Sequence, residues 1–345
     1  SQTYCCRSGA MSFDDGLCTC EAGSLARIPF NRKYGIVEHR MAIEEGLGTR
    51  IIAARLQRAL HRNTPAHLRL VKGSHLIVPK LWDGAHCYIF QNGDGRICFA
   101  IPYEQDFTLL GTTDEVFEGD PNEVAISEDE AAYICASVNE YLATQVRPED
   151  AVSSYSGVRP LYDDGASSAT AATRDYVLSL NTDGGAALLS VFGGKITTYR
   201  RLAESALAKL SHLFPGKTGE WTAGKPLPGG DFPVDGFEGL VESLRSAHPY
   251  LEQKQARRLV RAYGTEAQVM LHGKTSAEDL GRDFGAGLTE TEVDWLMERE
   301  YAATADDVVW RRSKLGLRLP EEEIAELALW MKNKRKAGNG KIAAE

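Results

Sequence analysis

Three cationic side chains follow short strand or turn signals: Arg159 in Tyr155-Ser-Gly-Val-Arg-Pro160, Arg174 in Thr173-Arg-Asp-Tyr176, and Lys195 directly after Gly193-Gly194. Upstream, His75 stands in Lys72-Gly-Ser-His75, and Thr112 opens Thr112-Thr113-Asp114 at the end of an apolar run. Forked guanidiniums, an ammonium and hydroxyl donors are the groups that hold a phosphate ester. A histidine can supply the base that oxidation of a secondary alcohol needs, with a hydride acceptor beside it. The inventory suits both needs. Each member also has a plainer explanation. His75 could be a satisfied core histidine, Arg159 and Arg174 surface residues paired with Asp163, Asp164 or Asp175, and the glycine pair an ordinary turn.

The elements that must position these residues are legible around the glycine pair. An apolar run from Ala186 to Phe192 ends at Gly193-Gly194, and Lys195, Ile196, Thr197, Thr198 and Tyr199 open a helical pattern carrying Leu202, Ala203, Ala206, Leu207 and Leu210. This reads as strand, tight turn and helix N-terminus, where unpaired N–H groups can hold an anionic or electron-rich group. Glycine lets the backbone come close to a ligand. It is not a P-loop, because the first glycine and its spacing are missing.

Further elements surround it. Residues His75–Pro79, His86–Gln91, Arg96–Pro102 and Phe107–Thr112 read as strands, with Asn92-Gly93-Asp94-Gly95 as a hairpin turn. Ser127-Glu128-Asp129-Glu130 is a capping box opening a helix to about Thr144. Strands resume at Ala151–Tyr155 and Asp175–Leu180. After a linker at Leu227-Pro-Gly-Gly230, 3.6-residue periodicity dominates over Gly236–His248, Glu252–Tyr263, Thr265–Leu271, Thr289–Glu300 and Pro320–Lys336. Asp235 and Thr289 suit N-caps, and Pro320 suits a first helical turn.

The expected fold class is thus an α/β (α+β) substrate or cap domain with an antiparallel sheet, plus the remnant of a cofactor domain, followed by an all-α C-terminal domain. The expected segments are 1–65 (atypical), 66–222 (cap region with the closing turn), 223–336 (helical) and 337–345 (tail).

Composition sets outer bounds. The 345 residues suffice for two domains, and the net charge of −9 argues against a general nucleic-acid binder. No apolar run approaches the roughly 20 residues that span a bilayer, and the start lacks the order of a signal peptide. Seven cysteines, an odd number, favour a reducing cytosol. Cys5, Cys6, Cys18 and Cys20 lack zinc-site spacing, so no metal is expected; Cys87, Cys98 and Cys135 read as buried thiols.

Together, Lys72-Gly-Ser-His-Leu-Ile-Val-Pro79, Leu110-Gly-Thr-Thr-Asp114, Tyr155-Ser-Gly-Val-Arg-Pro-Leu161, Thr173-Arg-Asp-Tyr176 and Leu189-Ser-Val-Phe-Gly-Gly-Lys-Ile-Thr-Thr-Tyr-Arg200 resemble the FAD-dependent glycerol-3-phosphate dehydrogenases in letters, order and spacing. Asp279-Leu-Gly-Arg-Asp-Phe-Gly285 and Ala305-Asp-Asp-Val-Val-Trp-Arg-Arg-Ser-Lys-Leu-Gly316 extend the resemblance, which covers about residues 66–335. It implies oxidation of sn-glycerol 3-phosphate to dihydroxyacetone phosphate, with hydride passing to FAD and electrons to a quinone. It implies that His75 and Arg159 flank the reacting hydroxyl, that Thr112, Arg174 and Lys195 line the substrate pocket, and that Gly193, Gly194, Lys195, Ile196 and Thr197 face the flavin. It further implies a cytoplasmic protein, peripheral on the inner face of the membrane, where the basic tail Lys332–Lys341 would have a role. A homodimer is left open, and so are oxygen as acceptor, a related amine or amino-acid oxidoreductase, and a non-catalytic binding module.

One family feature has no counterpart. The G-x-G-x-x-G turn that grips the FAD pyrophosphate is not present in usable form: Gly46-Leu-Gly48 meets Ile51 at the third position, and Gly338-Asn-Gly340 lies at the chain end. The expectation is a C-terminal portion of the family protein, with residues 1–65 from a shifted frame or unrelated sequence. Such a chain is expected to hold FAD poorly, to be catalytically incompetent alone, and to leave Ala186–Phe192 as an exposed edge.

Overall fold

The computed structural model describes residues 68–342 except 163–174, 183–186, 215, 217 and 218, with side chains from 69 to 336. Before these, it describes five short strands: β1 (Tyr4–Cys6), β2 (Gly9–Asp14), β3 (Leu17–Cys20), β4 (Ile28–Asn31) and β5 (Ile36–Val37). The helix expected from Thr49 to His61 lies outside the described residues, as does Gly46-Leu-Gly48. The chain divides into two compact units, Ser1–Glu220 and Trp221–Glu345.

The first unit is organised by β6 (Leu68–Pro79), longer than its apolar end alone predicts. It pairs antiparallel with β11 (Ser153–Tyr162) on one side and with β9 (Phe107–Gly111) and β10 (Glu115–Val116) on the other. The sheet continues through β8 (Ile97–Tyr103) to β7 (Tyr88–Gln91), joined by the expected hairpin turn, in which Gly95 N donates to Asn92 O at 2.9 Å. Side chains alternate between faces at every residue. One face presents Leu76, Val78, Phe90, Cys98, Ala100 and Leu110, all buried against α1 (Glu128–Asn139). Helix α1 meets them with Ala131, Ile134, Cys135 and Val138, an i, i+3, i+4, i+7 stripe. Its N-terminus is the predicted capping box, with Ser127 and Glu130 bonded reciprocally.

The register across the other face runs Tyr155–His75–Gly111–Phe99. On this face Val71, Ile77 and Leu109 are buried, whereas Tyr155, Ile89 and Ile97 are exposed. Strands β12 (Tyr176–Asn181) and β13 (Leu188–Gly193) form a separate two-stranded sheet. A 3-10 turn, Ile196–Thr198, then leads into α2 (Tyr199–Lys209).

The second unit is helical: α3 (Phe237–Ala247), α4 (Gln253–Tyr263), α5 (Glu266–Met270), α6 (Glu290–Arg299) and α7 (Glu321–Ile342). Helix α4 contributes Ala256, Leu259, Val260 and Tyr263 to a core shared with Leu244, Leu288, Leu296 and Leu327. Two local readings change. Gly236, not Asp235, is the N-cap of α3, and a π-helical turn at Asp307–Arg312 went unpredicted.

Candidate functional site

The ladder between β6 and its neighbour is interrupted once. Strand β9 pairs with His75–Pro79 and β10 with Val71–Lys72, so Thr112-Thr113-Asp114 loops out opposite Gly73-Ser74. The backbone N–H of Ser74 is captured by a side chain, donating to Thr113 Oγ1 at 3.1 Å. A local break of this kind re-aims side chains that a regular ladder would hold flat.

Arg159 crosses from β11 to meet this loop. Its Nη1 donates to Asp114 Oδ1 at 2.5 Å and its Nη2 to Thr112 Oγ1 at 3.3 Å. The guanidinium lies over Gly73, where a Cβ would stand 2.5 Å from Nη2. Among the described residues its partner is Asp114 across the sheet; Asp163 and Asp164 lie outside them.

His75 lies one pleat along the same face. A Cβ on Gly111 would stand 2.6 Å from its Cδ2, so a second glycine makes room for a second polar side chain. The Tyr155 ring stacks on the imidazole with centroids 4.7 Å apart and planes 13° apart. Burial, reinforced by the charge of Arg159, pushes the His75 pKa down to about 4. The ring is neutral near pH 7, and its buried Nδ1 has no hydrogen-bond partner among the described residues. A neutral imidazole beside a guanidinium can accept a proton while the guanidinium steadies the oxygen that releases it.

The glycine turn ends β13. Gly193 and Gly194 have φ of 62° and 88°, in the left-handed region. A Cβ on Gly193 would stand 2.7 Å from Asp175 O and 3.3 Å from Tyr162 N, so the turn is seated on the end of β11, the strand carrying Arg159. Phe192 and Tyr162 add a ring contact at 6.2 Å. Lys195, Ile196 and Thr197 are exposed beyond it, with Ile196 at 65 %. His75, Arg159 and Thr112 are thus gathered on one sheet face. Lys195 extends from a turn docked on the same strand, and Arg174 lies outside the described residues.

Sequence reasoning passed over Gly73, Gly111, Tyr155 and the buried Glu130 behind the sheet as site residues. A glycine inside a strand is itself a signal of close approach. Among the described residues no cluster of His, Cys, Asp or Glu could hold a metal, and no helix is long and apolar enough to cross a membrane.

Two family patterns match in tandem: FAD dependent oxidoreductase over residues 43–200, and the C-terminal domain of alpha-glycerophosphate oxidase over residues 221–332. The chain belongs to the FAD-dependent oxidoreductases. The match begins at residue 43, so part of the atypical segment 1–65 aligns with this family.

Relatives agree with that assignment. The chain is 46 % identical over 283 residues to the glycerol-3-phosphate dehydrogenase of Pseudomonas aeruginosa, covering 82 % of this chain and 55 % of the relative. It is 46 % identical over 267 residues to the D-erythritol 1-phosphate dehydrogenase of Brucella abortus, covering 77 % and 53 %. It is 41 % identical over 273 residues to the aerobic glycerol-3-phosphate dehydrogenase of Escherichia coli, covering 79 % and 54 %. The chain spans about half the length of these curated relatives. The crystal structure of the Bacillus halodurans glycerol-3-phosphate dehydrogenase complexed with FAD shares the fold, with a TM-score of 0.67 at 24 % identity. That alignment covers 94 % of this chain and 63 % of the other.

The flavin-facing half of an FAD site fits the residues present in this chain. Two left-handed glycines, one buried with no room for a Cβ, lead into the exposed Lys195, Ile196 and Thr197 at the start of a 3-10 turn. The pyrophosphate-gripping G-x-G-x-x-G has no counterpart in usable form in the sequence.

Proposed function

We propose that this chain carries the substrate-facing half of an FAD-linked dehydrogenase that oxidises sn-glycerol 3-phosphate to dihydroxyacetone phosphate and passes electrons to a quinone. The observation that carries the reading is the juxtaposition of neutral His75 with the Arg159 guanidinium, itself held by Thr112 and Asp114. Relatives named for two polyol phosphates support the substrate class.

In this reading His75 accepts the proton of the secondary hydroxyl, and Arg159 stabilises the negative charge that develops on its oxygen. Thr112, Arg174 and Lys195 line the pocket, two of them cations suited to a phosphate dianion. FAD, when bound, supplies the acceptor for the hydride on C2. Lys195 and the backbone of Gly193, Gly194, Ile196 and Thr197 would hold its pyrimidine end. Residues 66–222 form the cap region and 223–336 the helical C-terminal domain. The basic end of α7 suits a peripheral contact with an anionic membrane on the cytoplasmic side.

Calorimetric titration with sn-glycerol 3-phosphate, glycerol and D-erythritol 1-phosphate tests the substrate class, and dye reduction with FAD supplied tests the chemistry. The expected order is glycerol 3-phosphate first, with no response to unphosphorylated glycerol. Equal binding of glycerol would remove the phosphate from the reading. Preference for D-erythritol 1-phosphate would move the assignment to a longer polyol phosphate.

A further inference from the structure

A buried carboxylate behind the sheet touches the flanks of all three gathered site residues. Glu130 is 2 % exposed and belongs to α1, on the face opposite His75 and Arg159. Its Oε1 accepts from Ser74 Oγ at 2.8 Å and from Thr113 Oγ1 at 2.7 Å. Its Oε2 pairs with Lys72 Nζ at 2.7 Å and accepts from Ser127 N at 2.9 Å and Ser127 Oγ at 3.2 Å. Ser74 precedes His75. Thr113 lies between Thr112 and Asp114, the two residues that hold Arg159, and Lys72 precedes Gly73, over which Arg159 lies.

A capping box needs only the bonds to Ser127. The other three partners all come from the interrupted ladder, where Ser74 N has no strand carbonyl and uses Thr113 Oγ1 instead. Thr113 thus accepts from β6 and donates to α1, which ties the loop to both layers. Released from Glu130, Thr113 would lose its tie to α1, and the loop would keep the bond from Ser74 N and the Arg159 contacts within the sheet layer. A side chain held by a mobile loop loses its orientation, and orientation governs how well it meets a reacting oxygen.

We propose that Glu130 is a positioning residue for the polyol-phosphate site: through Thr113 it fixes the Thr112–Asp114 loop and thereby the Arg159 guanidinium. The link to substrate rests on the function proposed above; the link to Arg159 does not. The test is the Nε–H NMR signal of Arg159 in the full chain, assigned by its loss in Arg159→Lys. Signals are compared in Thr113→Val, Thr113→Ser and Glu130→Gln, alongside amide exchange of residues 111–116.

Thr113→Val keeps the shape and removes the hydroxyl. It is expected to broaden or lose the Arg159 signal and speed exchange of residues 111–116 at least tenfold, with exchange in 237–299 unchanged. Thr113→Ser is expected to restore both, which a requirement for bulk alone would not produce. Glu130→Gln is expected to match Thr113→Val. If Glu130→Gln fails to fold, the valine and serine pair decides. A sharp Arg159 signal with unaltered exchange in folded Thr113→Val would overturn the proposal. A changed signal without any binding of sn-glycerol 3-phosphate would uphold the positioning and discard only the substrate.

Discussion

The Arg159 guanidinium occupies the space that a side chain on Gly73 would fill: a Cβ there would lie 2.5 Å from Nη2 and 2.8 Å from Cζ. Gly73 faces Gly157 across the β6–β11 pair, but a Cβ on Gly157 would meet nothing within 4 Å, so the close approach of the arginine rests on Gly73. Strand-interior glycine costs roughly 0.5–1 kcal/mol relative to alanine, so this space is kept at the expense of strand stability. Gly73→Ala should therefore displace the guanidinium while leaving the sheet intact. Affinity for sn-glycerol 3-phosphate is expected to fall about tenfold, near 1.4 kcal/mol. Titration calorimetry checks this, and unchanged affinity would show that Arg159 does not need its place over Gly73.

Acid should destabilise the first unit in two separable steps. The His75 pKa is about 4 against an ordinary 6.5, so the unfolded chain binds the extra proton first and stability falls between about pH 6.5 and 4. Burial of Glu130 would raise its pKa, but Lys72, Thr113, Ser127 and Ser74 hold it at about 2 against 4.5. Its contribution is complete above about pH 4.5 and is lost as pH falls toward 2. Denaturant melts across this range should show His75→Gln flattening the upper window and Glu130→Gln the lower one. Identical pH profiles for both variants and the parent would refute the assignment.

How much of this was legible depended on the distance over which residues act. Ser127 and Glu130 were readable because a capping box is complete within four residues. Helix α4 was readable because Ala256, Leu259, Val260 and Tyr263 recur at helical spacing. The start of β6 was not, since Lys72-Gly73-Ser74 looks polar until Glu130 arrives from 56 positions away to accept from Ser74. Arg159 and Thr112 were singled out, but Asp114, 45 positions from Arg159, becomes its partner only through the β6–β11 register. Cys87 is exposed where a buried thiol is expected: the alternation of β7 buries Phe90 and puts position 87 on the side of exposed Ile89.

That correction makes thiol chemistry a direct check. Cys87 is exposed, whereas Cys98 and Cys135 are buried in the sheet–helix core, where desolvation pushes each thiol up to about 11. The thiolate is the reactive species, so Cys87 should alkylate first among these three. With iodoacetamide at pH 8, peptide mass spectrometry is expected to show Cys87 modified well before Cys98 or Cys135. Early labelling of Cys135 would mean that α1 does not stay packed on the sheet.

The helical unit has its own buried charge, and its removal should show that this half depends on it. Arg258 donates from Nη1 to Glu292 Oε1 and from Nη2 to Glu292 Oε2, both at 2.6 Å, and Nη2 also reaches Gly287 O at 2.8 Å. Tyr263 donates to Glu292 Oε1 at 2.8 Å, and its burial pushes the phenol far above the ordinary tyrosine range. The pair joins α4 to α6, and Glu292 is 1 % exposed, so Arg258→Met leaves an uncompensated carboxylate in the core. Breaking one side of a buried pair costs about 3–5 kcal/mol, whereas replacing both sides with apolar groups of similar volume is often close to neutral. Arg258→Met should therefore lower the melting temperature sharply, and Arg258→Met combined with Glu292→Leu should recover much of the loss. Tyr263 loses its acceptor in the double variant, so recovery should be incomplete unless Tyr263→Phe is added. A double variant no more stable than Arg258→Met would show that Glu292 does not carry the destabilising charge.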